Sequence, residues 1–197
     1  MISPGRVLGY SVLAAITVMA PSGSRGVIFT PWLAEKRSLK DDHGARAGFT
    51  NASLASGTAE LVRSTMEGVA ANSRWPFGFV EKLCGREFSS VGLVGGGAQS
   101  ALWCQIFADA LDWPVEQVRD SIFAEMRGMA AVVSVALGRQ TLTDVQTNHL
   151  LGRGFEPAPE GVEAMARLSD EAHRIFEEGR PRSNFSIEWR DLTLRFS

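Results

Sequence analysis

The sequence predicts an α/β domain in which helices cover a sheet. Short apolar runs that suit strands, such as residues 26–30 and 88–94, alternate with longer segments whose apolar residues recur at helical spacing. Three consecutive glycines, Gly95 to Gly97, separate the second of these strands from a segment with a wide apolar face at 102–111. Glycines there let the backbone turn sharply between a strand and a helix.

Composition narrows the class of protein. A chain of 197 residues fits one domain or one lobe of a larger protein, and 45% hydrophobic with 21% charged residues is ordinary for a soluble globular protein. The net charge is −2 and the basic residues are scattered, which argues against a nucleic-acid partner. Cys84 and Cys104 lack CxxC spacing and nearby histidines, so we expect two buried thiols of a cytoplasmic protein rather than a disulfide or zinc site.

Residues 7–20 are nearly all apolar or small and follow a single arginine, Arg6. A signal peptide has the same arrangement, and a core helix that ends at Pro21 is the alternative. Polar and glycine residues dilute the run, so we favour the core helix. The run is also shorter than the roughly 20 apolar residues that a membrane span needs, so no membrane association is predicted.

The rest of the chain continues the alternation. We expect an exposed charged loop at 35–46, a second extended piece from Phe49, and an amphipathic helix over 56–72 that the WPFG stretch at 75–78 interrupts.

Further along, the pattern predicts a strand at 114–118 and an amphipathic helix at 161–178. A helix at 124–137 is rich in Ala, Gly and Val, and its small residues predict close packing against a sheet.

The glycine turn is the candidate functional site. A side chain on the turn would occupy the space of a ligand lying against the peptide N–H groups, and the helix that follows adds a dipole favourable to negative charge. A nucleotide site is therefore predicted, and a tight turn without a ligand is the alternative that the residues leave open. The predicted site consists of Gly95, Gly96, Gly97, Ala98, Gln99 and Ser100.

Several segments together are similar to the C-terminal domain of the FGGY carbohydrate kinases, which include xylulokinase and glycerol kinase. The segments run in the family's order from 26 to 138. GVIFTPWLAEKRS at 26–38 resembles GLLFLPYLAGERSP, ARAGF at 45–49 resembles ARGAF, and LVRSTMEGVA at 61–70 resembles LARAVLEGVA. Further along, the stretch at 95–111 resembles GGGARSPLWRQILADVL, and RGMAA at 127–131 resembles RGAALLA.

This resemblance implies an actin-like ATPase (ribonuclease H-like) lobe, a mixed sheet flanked by helices, with ATP and sugar in the cleft between two such lobes. It implies ATP as cofactor, with Mg²⁺ on its phosphates, and transfer of the γ-phosphate to a pentulose or polyol hydroxyl. Gly96, Gly97 and Ala98 become the closest nucleotide contacts, with Gly95, Gln99 and Ser100 as neighbours.

The family's catalytic Asp and its sugar contacts lie on an N-terminal lobe, and nothing before Gly26 resembles that lobe. We therefore assign no catalytic residue and no metal ligand, and expect the chain to be inactive by itself. The alternative is a non-catalytic remnant acting as a binding module. Three departures from the family pattern are compatible with it: Ala34, Leu39 and Ala47.

We expect a terminal helix or linker at 1–25, the kinase domain at 26–180 and a peripheral tail at 181–197. Possible partners are a second copy or a partner kinase lobe, and either should meet an exposed apolar patch. Structural rather than catalytic roles are expected for Glu67, Gly68, Asp109, Arg127 and Gly128. The charged residues Glu35, Lys36 and Arg37 are expected in a solvated loop, and surface positions for His43, His149 and His173.

Overall fold

A computed structural model describes residues 12, 15–33, 46–85, 88–147 and 151–178. It has the predicted α/β class, with helices flanking a mixed sheet. In chain order the strands and helices are β1 (Ile28–Thr30), β2 (Gly48–Thr50), α1 (Thr58–Cys84), β3 (Val91–Leu93), α2 (Ala101–Leu111), β4 (Val115–Val118), α3 (Ala124–Ala136), α4 (Leu142–Thr147), β5 (Leu151–Phe155) and α5 (Pro159–Glu178).

The main sheet has the strand order β3-β4-β5. Strand β3 runs parallel to β4, with Val91 opposite Val115, and β5 runs antiparallel to β4, with Phe155 opposite Val115. Helix α2 covers one face of this sheet, where Cys104 and Ala108 contact Val115 and Phe155 in a buried cluster. A helix between two parallel strands is the usual way to connect them, and it fixes which strand ends lie together.

A second buried cluster joins α1, α2 and α5 beside the small sheet of β1 and β2. Its buried members are Ile28, Met66, Ala70, Ala71, Ile106, Ala110, Met165 and Leu168. Alanines on α1 and α2 leave room for the helices to approach closely. Strand β1 comes closer still, because a Cβ added at Gly68 would lie 2.1 Å from the carbonyl oxygen of Phe29. Gly68 therefore has the structural role expected of it.

A buried ion pair fixes the chain ahead of β1 to helix α1. The Glu67 carboxylate is fully buried and accepts hydrogen bonds from Arg63 Nε at 2.7 Å, Ser24 Oγ at 2.7 Å and Gly23 N at 2.9 Å. Arg63 in turn donates from Nη1 to the carbonyl of Ala20 at 2.9 Å. Every partner of the carboxylate is a donor, so the charge is compensated and Glu67 serves the structure, as expected.

The predicted interruption of the first long helix is wrong. Helix α1 continues through Pro76 to Cys84. Aromatic packing on both sides of the proline offers the physical reason, since Trp75 lies edge-on to His173 and Phe77 lies edge-on to Trp113. These contacts favour the helical path although the proline removes one backbone donor.

Helix α3 forms where it is expected, but the predicted close packing against a sheet is wrong. None of its residues is buried. Most of its large apolar side chains are instead exposed, namely Met126, Met129, Val132 and Val133, and so is Leu137 just beyond the helix. We call this set the α3 apolar face.

Other predictions have mixed outcomes. Residues 15–18 are helical and the helix ends ahead of Pro21, as expected. Thr17 and Ala20 are buried but Val12, Val18 and Met19 are exposed, so the prediction of a core helix holds for one side of the segment only. Cys104 is buried as expected, but Cys84 is exposed at the end of α1, so the prediction of two buried thiols is wrong for Cys84.

His173 is exposed, as expected, whereas His43 and His149 lie outside the described residues. The predicted loop at 35–46, with Glu35, Lys36 and Arg37, lies there too, apart from Arg46.

Replacing Glu67 by Ala should lower the free energy of unfolding by about 3–5 kcal/mol, because it leaves the Arg63 guanidinium buried without its counter-charge. Glu163→Ala is the matched control, since it removes an exposed pair with Arg167 on α5 and should cost less than about 1 kcal/mol. Urea unfolding of the two variants measures both values. Equal losses would contradict the structural role given to the buried pair.

Candidate nucleotide site

The predicted site lies at the carboxyl edge of the main sheet. Because β3 and β4 are parallel, the turn that leaves β3 at 95–100 and the loop that leaves β4 at 119–123 meet at this edge. Gly95 N donates to the Ser121 carbonyl at 3.0 Å, and Ser121 Oγ donates to the Gly95 carbonyl at 2.9 Å. Ligands of α/β sheets bind preferentially in such a crevice at strand ends.

The crevice has a volume of about 510 Å³ and is open to solvent. It is lined by Gln99, Gln117, Val118, Arg119, Asp120, Ser121, Ile122 and Gly152.

The turn itself is tightly organised. Gly95 has a φ of +92°, a backbone conformation that side chains rarely adopt, and residues 97–99 form one turn of 3₁₀ helix. Ser100 then begins α2 with its hydroxyl oxygen, which accepts from Trp103 N at 3.3 Å. Ala98 is buried, and its carbonyl accepts from Gln117 Nε2 at 2.5 Å.

Three successive backbone donors of the turn make no hydrogen bond within the described residues, and two of them, at Gly96 and Gly97, belong to residues that are not buried. The N–H groups of Gln99 and Ser100 donate to the carbonyls of Gly96 and Gly97. Within the described part of the chain, by contrast, no hydrogen bond uses the N–H of Gly96, Gly97 or Ala98. Adjacent backbone donors ahead of a helix start form the kind of concavity that binds phosphate.

The glycines at 95 and 97 differ in what the fold requires of them. Position 95 requires glycine because of its positive φ, although a Cβ there would meet nothing within 4 Å. At Gly97 no positive φ is present, and an added Cβ would touch the Trp103 ring at an ordinary 3.7 Å. The chain's own packing thus leaves room for a Cβ at position 97, so the fold itself does not require glycine there.

A larger cavity, of about 680 Å³, lies elsewhere, but it offers less to an anion. Its two arginines are exposed and paired, Arg25 with Glu60 and Arg167 with Glu163. Three of its backbone donors are already used, because the N–H groups of Gly23, Ser24 and Gly26 all donate within the chain. It is lined by Ser22, Gly23, Arg25, Gly26, Ile28, Thr50, Asn51, Ala164, Arg167, Leu168 and Glu171.

Arg127 and Asp109 have the structural roles expected of them, whereas Gly128 is exposed and an added Cβ there would meet nothing within 4 Å. Arg127 donates from Nη1 to the Asp120 carbonyl at 2.9 Å and from Nη2 to the Arg119 carbonyl at 3.0 Å, which fixes the loop after β4. Asp109 is buried and accepts from the N–H of Ala158 at 2.9 Å, so it holds the start of α5 against α2.

Sequence reasoning missed Gln117 and Ser121. They belong to a stretch, VEQVRDS, that carries no motif, and only the parallel register of β3 with β4 brings them to the glycine turn.

Cys104 lies directly beneath the turn. Burial raises the pKa of its thiol to about 11, and its Sγ donates to the Ala98 carbonyl at 3.5 Å. A thiol with so high a pKa is protonated at neutral pH and is therefore not a nucleophile there.

Among the described residues, no group of three or more His, Cys, Asp or Glu side chains is placed to hold a metal ion. No helix in the same residues has the length and apolar character to cross a bilayer.

Residues 4–137 match the family model of the FGGY family of carbohydrate kinases, C-terminal domain. The chain therefore belongs to the FGGY family of carbohydrate kinases. It has the fold that its solved neighbours share, a lobe of the actin-like ATPase type.

Its relatives include a xylulose kinase from Staphylococcus epidermidis, 29% identical over 116 residues, which are 59% of this chain and 23% of that protein. An autoinducer-2 kinase from Yersinia enterocolitica is 30% identical over 132 residues, covering 66% of this chain and 24% of that protein. The crystal structure of xylulose kinase from Rhodospirillum rubrum superposes with a TM-score of 0.71 at 25% identity, covering 91% of this chain and 36% of that one. The chain thus spans about a quarter to a third of the length of these proteins.

Gly95→Ala should lower the free energy of unfolding by about 1–2 kcal/mol, because alanine is strained at a positive φ. Gly97→Ala should change it by no more than about 1 kcal/mol, because space is available there. Urea unfolding compares the two variants. A loss at Gly97 as large as that at Gly95 would mean that both glycines serve the fold, and would contradict the distinction drawn between them.

Proposed function

We propose that this chain is the nucleotide-binding lobe of an ATP-dependent carbohydrate kinase. Joined to a catalytic lobe that the described residues do not contain, it would help transfer the γ-phosphate of ATP to a pentulose or polyol hydroxyl. The observation that carries the proposal is the row of unused N–H groups at Gly96, Gly97 and Ala98 on the edge of the parallel strands. Membership of a carbohydrate kinase family supports the choice of ATP.

In this proposal the chain's own part is binding and orientation. The N–H groups of Gly96 and Gly97, which are not buried, donate to phosphate oxygens, and the start of α2 at Ala101 adds its dipole. Mg²⁺ arrives on the ATP phosphates and offsets their charge. The acceptor belongs to the other lobe, and the xylulose kinases among the relatives are what support a pentulose or polyol.

Two exposed surfaces are evidence in favour of a partner lobe. The α3 apolar face is exposed along one whole side of the helix, and β3 has β4 as its one strand partner in the described residues. An amphipathic helix owes most of its stability to packing, and an open strand edge offers unpaired backbone groups. The solved neighbours are about three times as long as the part this chain matches, so they contain further chain to cover such surfaces.

We also propose a cytoplasmic location, where ATP and sugars are available. A binding module without transfer activity is the second candidate.

Calorimetry of the purified chain with ATP and Mg²⁺ tests the nucleotide site, with Gly97→Val as the diagnostic variant. The chain should bind ATP and the variant should bind it much more weakly, because a branched side chain beside the Gly97 N–H would hinder a phosphate from reaching it. Gly154→Val is the matched control: it lies on β5, a Cβ there meets nothing within 4 Å, and it should bind like the unmodified chain. A folded chain without ATP binding would contradict the proposal, as would equal binding by Gly97→Val.

The α3 apolar face should make the isolated chain bind a hydrophobic dye and self-associate. Met129→Lys combined with Val133→Lys should reduce both, whereas Gln140→Lys, at an exposed polar position just after α3, should change neither. Dye fluorescence and light scattering provide the measurements. A monomeric chain that binds no dye would contradict the idea that a partner lobe covers this face.

A further inference from the structure

We propose that Gln117 and Ser121 are positioning residues that hold the glycine turn in the shape that receives the ATP phosphates. The inference rests on the proposed nucleotide site and adds to it the side chains that preorganise the site. Neither residue belongs to a segment that resembles the family motifs. Both reach the turn from β4 and the loop that follows it.

Gln117 holds the far end of the turn. It lies on β4 opposite Leu93 of β3, and its amide Nε2 donates to the Ala98 carbonyl at 2.5 Å. This bond joins a residue of the sheet to a buried residue of the turn, 19 positions apart in the chain. The bond therefore fixes the position of the 3₁₀ turn relative to the ends of the strands.

Ser121 holds the near end. It is buried at 4% exposure and makes a reciprocal pair with Gly95, whose N–H donates to its carbonyl and whose carbonyl accepts from its hydroxyl. Gly95 is the residue at which the chain bends away from β3. The loop that carries Ser121 is held in place as well, because Arg127 donates hydrogen bonds to the carbonyls of the two residues just before Ser121.

Both side chains bond to carbonyl oxygens of the turn and to none of its three unused N–H groups. The two ends of the turn are thus fixed, while the N–H groups of Gly96, Gly97 and Ala98 have no competing acceptor among the residues that the structure describes. A donor row that is held in place before the ligand arrives binds it without a cost in ordering the loop.

The test compares ATP affinity, backbone exchange and stability in Gln117→Leu and Ser121→Ala. Leucine has nearly the volume of glutamine without its donor or any new charge. Each variant should bind ATP with Mg²⁺ about two- to tenfold more weakly by calorimetry, the usual worth of one hydrogen bond. Amide hydrogen exchange at residues 96–100 should be faster in both, measured without ATP.

The matched controls are Gln140→Leu, at an exposed position, and Ser73→Ala, which removes a hydroxyl bonded to the Val69 carbonyl within α1. Both should leave ATP affinity and exchange in the turn unchanged. Urea midpoints within the range of these controls would show that the variants act on the turn and not on the whole fold.

The outcomes separate this inference from the function on which it rests. Variants that bind ATP as tightly as the unmodified chain, or that leave exchange at 96–100 unchanged, would overturn the positioning role while leaving the nucleotide site intact. No ATP binding by the unmodified chain would overturn the proposed function, and with it any role of Gln117 and Ser121 in nucleotide binding. Weaker binding together with faster exchange supports the inference.

Discussion

The parallel pairing of β3 with β4 is the constraint on which the candidate site depends. It brings the glycine turn and the loop after β4 to one edge, where Gly95 and Ser121 exchange two hydrogen bonds. Helix α2 connects the two strands and packs Cys104 and Ala108 on the sheet beneath that edge. The buried ion pair of Glu67 and Arg63 stabilises the other cluster, because it holds the chain ahead of β1 against α1. Because the parts of the chain on both sides of the turn are packed in place, the unused N–H groups of the turn have fixed positions.

Apolar surfaces are buried on one side of the described structure and exposed on another. Helices α1, α2 and α5 bury their apolar faces against one another, while the α3 apolar face and the outer edge of β3 have no cover among the described residues. The glycine turn lies near this open side, since the loop before α3 contacts it directly at Ser121. In a two-lobed kinase, such a layout would place the nucleotide and the partner surface next to each other.

Much of the fold and the position of the turn could be predicted from the sequence, because periodic apolar residues and the glycine run are local signals. Long-range packing could not. Trp75 and Phe77 keep α1 intact through Pro76 by contacts with α5 and with Trp113, distant in the chain. Strand β5 has two glycines in five residues and no alternation, so only pairing with β4 reveals it. Gln117 and Ser121 likewise gain meaning only from strand register. The burial of α3 was predicted from its small residues, but burial requires a neighbour as well as a pattern.

The most direct test of the central claim, that the glycine turn is where the nucleotide binds, is a titration of the ¹⁵N-labelled chain with ATP and Mg²⁺ followed by amide NMR. The account predicts that shifts are largest for the N–H groups of Gly96, Gly97 and Ala98 and extend into the first turn of α2. Shifts confined to the larger cavity between residues 22–26 and α5, or no shifts at all, would contradict it.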